Sequence, residues 1–106
     1  KTIIFNSVKN VEDNNLKFIR IERENSISQI FEKLYELQIQ SVIIEGGRFT
    51  LQESINKNLW DEALIFKNPN LNLKTGTQAP NFDFEPEKTQ NLRDTEVLFF
   101  SNGSLD

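Results

Sequence analysis

A short, continuous apolar run, Ser41-Val42-Ile43-Ile44, ends at Glu45-Gly46-Gly47 and passes directly into a helical pattern. This handover constrains the chain more than any other feature. A strand that is apolar on both faces needs cover on both sides, which in a small protein means helices laid over a sheet. The preceding stretch, residues 26–39, has apolar residues at Ile27, Ile30, Phe31, Leu34 and Leu37, the spacing of one helix face. Ser26 followed by Gln29 fits a capping box at its start. The following stretch, residues 49–56, reads as a shorter helix with Phe49, Leu51 and Ile55 turned inward and Asn58 helping to end it.

The rest of the chain extends this pattern on both sides. Residues 2–8 read as a buried strand, 12–15 as a polar turn and 16–21 as a second strand. Residues 62–66 form a further strand, and 68–81, with two prolines and Gly76, a long loop. Residues 82–84 and 96–100 read as closing strands with a turn near Leu92-Arg93-Asp94, and Asn102-Gly103 opens a frayed tail. The expected architecture is therefore α/β: one mixed sheet flanked by helices, with an antiparallel pair at its edge, forming a single domain over residues 1–106.

Composition narrows the chemistry. With 106 residues there is room for one modest core. The chain has no Cys and no His, which removes disulfide frameworks, Cys/His zinc sites, Cys nucleophiles and Ser-His triads. The net charge of −4, with acids and bases interspersed, does not favour nucleic acid or anionic lipid as a partner. No apolar run approaches the ~20 residues a membrane span needs, and the expected location is the cytoplasm. The chain has no Met and leads almost at once into a strand, so it is expected to be a piece of a longer one.

The candidate site lies at the same handover. In open α/β sheets, ligands bind beyond the carboxyl ends of the strands. Gly46 and Gly47 there permit positive φ and close approach of a ligand to the backbone. A helix starting near Arg48 offers free amides and a dipole that favour an anion such as a pyrophosphate. Glu45 is placed to accept hydrogen bonds from ligand hydroxyl or amino groups. The same residues also suit a plain tight turn with a solvated carboxylate, and the G-x-G-x-x-G dinucleotide fingerprint is absent.

Residues 34–47, Leu34-Tyr35-Glu36-Leu37-Gln38-Ile39-Gln40-Ser41-Val42-Ile43-Ile44-Glu45-Gly46-Gly47, resemble the reductase domain of the bifunctional deaminase/reductase family of riboflavin biosynthesis. So does the continuation over residues 51–66, with Asn58-Leu59-Trp60-Asp61-Glu62-Ala63. Lys74-Thr75-Gly76-Thr77-Gln78-Ala79-Pro80 resembles a later Gly-containing loop of that family. These stretches cover about a third of the chain. The resemblance implies a dihydrofolate-reductase-like fold of which this chain is the C-terminal half. It implies NADPH-dependent reduction of 5-amino-6-(5-phosphoribosylamino)uracil, the ribosyl group becoming ribityl. It implies that Glu45 binds this pyrimidine ribosyl-phosphate substrate, and that Gly46, Gly47, Arg48, Phe49 and Thr50 line the NADPH phosphate site. With hydride supplied by the cofactor, the protein's task is to orient two ligands, which suits a chain without a nucleophile or metal cluster. The first half of such a domain, with most substrate-phosphate contacts, has no counterpart here. Neither has the deaminase with its His-x-Glu and Pro-Cys-x-x-Cys motif, so the chain alone is expected to be inactive.

Other features fit quieter roles. Trp60 reads as packing at a sheet margin and Tyr35 as half-buried packing. Arg48 suits either the 2′-phosphate that marks NADPH or solvent. Lys74-Thr75-Gly76-Thr77 lacks P-loop spacing and reads as a turn. Two alternatives to a reductase fragment remain: a non-catalytic module that only assembles, and a different phosphate-ligand binder. Open strand edges at residues 2–8 and 96–100 would invite pairing, so a homo-oligomer, most simply a dimer, is expected.

Overall fold

The computed structural model describes residues 1–103. The protein is a small α/β chain that divides into two compact units, residues 1–44 and the segment from Glu45 onward. Each unit holds a three-stranded sheet and one helix, in place of the single sheet expected from sequence.

In the first unit, β1 (Thr2–Asn6), β2 (Val11–Asp13) and β3 (Leu16–Arg20) form a mixed sheet in the order β1-β3-β2. β1 runs parallel to β3 and β2 antiparallel to it. Asn6 ends β1: its Oδ1 accepts the amides of Val8 at 2.9 Å and Lys9 at 2.8 Å, turning the chain before Val8. The segment read as a polar turn instead supplies β2. Its Val-Glu-Asp sequence is wholly exposed, so it has no apolar alternation to betray it. A two-residue turn at Asn14-Asn15, with Asn14 at φ 45°, folds it onto β3. The Lys1 ammonium bonds Glu12. That hydrogen bond first, and the Lys1 charge second, hold the Glu12 carboxyl below its ordinary range. What the pair contributes is present above the ordinary carboxylate pKa and is lost as pH falls through the lowered one. Fully in water, it is also screened by salt.

The helix α1 (Ser26–Glu36) follows. Its buried Ile27 joins Ile19 and Ile21 as the apolar residues buried in this unit. The capping box does not form, because the residue before the helix is Asn25, in the left-handed region at φ 55°, ψ 35°. Gln29 turns away from Ser26 and grips the preceding loop. Its Oε1 accepts the Glu22 amide at 2.9 Å, and its Nε2 donates to the carbonyls of Glu22 (3.1 Å) and Glu24 (2.7 Å). The helix stops short of Ile39. Gln38 adopts φ 62°, and the amides of Gln38 and Ile39 return to the carbonyls of Tyr35 and Leu34 in a Schellman closure.

The expected central strand at residues 41–44 is absent. Val42 and Ile43 are 46% and 85% exposed, and no strand pairs with them among the described residues. A run apolar on both faces is stable as a strand only between two neighbours. Without them its apolar side chains are left in water.

In the second unit, α2 (Arg48–Asn56) precedes an antiparallel sheet of β4 (Glu62–Lys67), β5 (Lys88–Leu92) and β6 (Thr95–Ser101), ordered β4-β6-β5. β6 is central, so residues 96–100 are not the open edge expected; β4 and β5 hold the edges. β5 forms from the polar stretch Lys-Thr-Gln-Asn-Leu, a wholly exposed edge strand whose pairing rests on the two-residue turn Arg93-Asp94. Residues 82–84 form no strand. Phe82 and Phe84 instead pack in an aromatic cluster: Phe82 lies 4.8 Å from Phe100 and 5.3 Å from Trp60, and Phe84 lies 5.1 Å from Trp60, between ring centroids. Their alternation marks side chains turned to one side, not a hydrogen-bonded ladder.

Asn102 is buried and closes this unit, where a frayed tail was expected. Its amide donates to Asp61 O at 2.8 Å, and its Nδ2 donates to Asn58 Oδ1 at 2.7 Å and Trp60 O at 2.8 Å. The remainder of the expected tail lies outside the described residues. No helix is long and apolar enough to cross a membrane among those described.

Candidate functional site

Residues 45–50 begin the second unit, and Arg48 opens α2 as the sequence pattern indicates. Gly47 is the residue before the helix, at φ −62°, ψ 178°, and no side chain caps the helix start. The first helical bond of α2 runs from the Leu51 amide to the Gly47 carbonyl at 3.2 Å. The amides of Arg48, Phe49 and Thr50 therefore precede it and point out of the helix end, where the backbone favours an anion. Neither Gly46 nor Gly47 adopts the positive φ expected of them; among the described glycines only Gly76 does. A Cβ on Gly46 would lie 3.4 Å from Thr50 Cβ, whereas beside Gly47 there is open space.

The helix has only part of the expected inner face. Ser54 is buried, with Leu51 and Ile55 half-buried, but Phe49 is 74% exposed. Two residues along a helix is a rotation of about 200°, so Phe49 cannot share a face with Leu51. At the far end Asn58 adopts φ 58°, and the amides of Asn58 and Leu59 bond the carbonyls of Ile55 and Ser54. This is the termination that Asn58 suggested in the sequence.

An open groove of about 470 Å³ runs along α2. The helix contributes Arg48, Gln52, Ile55 and Asn56, and the segment beyond the long loop contributes Asn81, Asp83 and Phe84. Arg48 is the one residue of the expected site that lines the groove. Glu45 is exposed outside it, as are Gly46, Gly47 and Phe49, while Thr50 is half-buried and accepts the Ser54 hydroxyl at its carbonyl. Arg48 forms no hydrogen bond or ion pair among the described residues. A cation at a helix N-terminus opposes the dipole, so this guanidinium is available to an incoming anion. Asp83 on the other wall and the side-chain amides of Asn56 and Asn81 add acceptors and donors for a polar ligand, and Phe84 offers a ring that is 46% exposed.

Of the groove residues, sequence reasoning assigned only Arg48 to the site; Ile55 was expected as helix packing. What builds the far wall is a contact 29 residues long in sequence: Gln52 Oε1 accepts the Asn81 amide at 2.7 Å, and its Nε2 donates to the Asn81 carbonyl at 3.2 Å. No local pattern announces such a clamp. Gln52→Leu is expected to cost about 1–2 kcal/mol and to free residues 81–84. Amide exchange at Asn81 would rise well above that at Leu98 in β6, and unchanged protection at Asn81 would refute the clamp.

No group of three or more acidic side chains is arranged to hold a metal ion among the described residues. Trp60 Nε1 is buried without a hydrogen-bond partner. Comparison with protein-family models, with curated proteins and with solved structures finds no match.

Proposed function

We propose that this chain is part of an NADPH-dependent reductase of riboflavin biosynthesis with a dihydrofolate-reductase-like fold. In this reading the start of α2 holds a phosphate of the cofactor, and Glu45 binds the pyrimidine ribosyl-phosphate substrate. The observation that carries it lies at Arg48: it opens a helix whose first three amides are uncapped, its guanidinium has no partner among the described residues, and it lines an open groove. Such an end is worth about 0.3–1 kcal/mol to an exposed anion from the dipole alone, and a charge-assisted bond from Arg adds roughly 1.5–3 kcal/mol. The sum supports weak binding. The residues supporting the family reading are those of the Glu45-Gly46-Gly47 handover and the Asn58–Ala63 stretch.

The test is a titration of the isotope-labelled chain with NADPH, followed by amide shifts. Saturable shifts are expected at residues 47–50, with a dissociation constant on the order of millimolar. Arg48→Glu should abolish them, and NADH, which lacks the 2′-phosphate, should produce weaker ones. Equal shifts from inorganic phosphate would favour a general phosphate binder. An absence of shifts at residues 47–50 would remove the site.

A further inference from the structure

Asn102 is the one asparagine of this sequence that is followed by glycine. The pair carries a chemistry of its own. The backbone nitrogen of the residue after an asparagine can attack the asparagine carboxamide. A side chain on that residue obstructs the attack, and glycine has none. The fold does not call for a glycine at 103. A Cβ there would meet nothing within 4 Å among the described residues, and φ lies outside the left-handed region. Neither packing nor backbone conformation accounts for the residue.

Tertiary contacts hold the reactive carboxamide away from that nitrogen. Asn102 is buried, and its Nδ2 donates to Asn58 Oδ1 at 2.7 Å and to the Trp60 carbonyl at 2.8 Å. Its own amide is fixed on the Asp61 carbonyl at 2.8 Å. Attack by Gly103 requires the side chain to leave both acceptors and swing back onto its own backbone. Those acceptors belong to the turn that closes α2, 44 and 42 residues earlier in the chain. The end of β6 must therefore part from that turn before the reaction can begin, which is a local opening of the second unit.

We propose that Asn102 is a modification site, where deamidation is blocked in the closed second unit and, once it occurs in the open one, keeps the unit from closing. The Gly103 nitrogen loses its proton to water and bonds to Asn102 Cγ. The Cγ–Nδ2 bond breaks, and ammonia leaves from a cyclic imide. Water then adds to one of the two imide carbonyls, giving aspartate, or isoaspartate where the chain is rerouted through the side chain. Nothing is oxidised or reduced. The product has lost the donor that held Asn58 and Trp60, and its carboxylate would be buried against two acceptors. Chemical change of the open form thus drains the closed one irreversibly. The inference stands whether or not the groove binds a nucleotide.

The test is to age the full chain at neutral pH, in buffer and in unfolding urea, and to follow each asparagine by peptide mass spectrometry. Asn102 is expected to react first in urea and at least about tenfold more slowly in buffer, where only the opened fraction reacts. Gly103→Val should suppress the reaction in urea without moving the urea midpoint. Asn58→Gly keeps the left-handed backbone and removes one acceptor, so it should speed the reaction in buffer by about three- to tenfold. Where Asn58→Gly does not fold, the comparison of buffer with urea decides. The deamidated chain, separated by its added charge, should unfold at lower urea by Trp60 fluorescence. Equal rates at Asn102 in buffer and urea overturn the proposal. So does an Asn102 that stays intact in urea, a folded Asn58→Gly that ages at the wild-type rate, or a deamidated chain with the unmodified midpoint.

Discussion

Phe100→Ala is expected to unfold most of the second unit. Phe100 is 5% exposed, sits on the central strand β6 and meets the Phe82 ring edge-on, at 4.8 Å and 89°. Through Phe82 it supports Phe84 and Trp60, so one truncation opens a cavity beneath the whole cluster. Phe→Ala changes in cores cost about 3–5 kcal/mol, and a domain has only about 5–15 kcal/mol in all. Trp60 is the single tryptophan and lies within the cluster, so its fluorescence reports the loss during urea unfolding. The exposed Phe49 is the control, and Phe49→Ala should shift the midpoint by no more than about 0.5 kcal/mol. Equal effects of the two substitutions would show that the cluster does not hold this unit together.

Asn102→Ala should cost about 2–3 kcal/mol, the largest effect expected from a polar residue in this chain. The side chain joins the end of β6 to the turn that closes α2, donating both to Asn58 Oδ1 and to the Trp60 carbonyl. Removing it leaves acceptors unsatisfied in a part-buried site, where the penalty exceeds the worth of the bonds themselves. Asn102→Asp separates size from hydrogen bonding. Its carboxylate would face two acceptors, so folding should raise the pKa of the introduced group above the ordinary ~3.9. The stability that remains is then present in acid, where a protonated carboxyl can still donate once, and falls as pH rises through the raised pKa. Urea midpoints near pH 4 and pH 7 measure this. A variant with the same midpoint at both pH values would rule out the donor role of Asn102.

Both predictions concern contacts between residues far apart in the chain, and here the sequence was least informative. The start of α2 at Arg48 and its end at Asn58 could be read directly, because a strand-to-helix glycine pair and a left-handed Asn act within a few residues. β1, β3, β4 and β6 were visible for a similar reason: each has a β-branched or aromatic apolar run. The edge strands β2 and β5 are polar and exposed and carry no such signal. They exist because two-residue turns return them to a neighbour's backbone.

The candidate site divides in the same way. Three free amides and a guanidinium at the head of α2 follow from local order. The far wall does not, since Gln52 finds Asn81 only after the chain has folded. Residues 41–44 make the limit plain. Their composition specifies a strand buried on both sides, yet a strand also needs partner backbones, and these the run cannot supply from within itself. Sequence alone determined where α2 starts and ends and which chemistries the lack of Cys and His removes, because these depend on near neighbours and residue type. Tertiary structure alone decided which strands pair, which phenylalanines cluster and where the groove opens, because those energies arise only between distant segments.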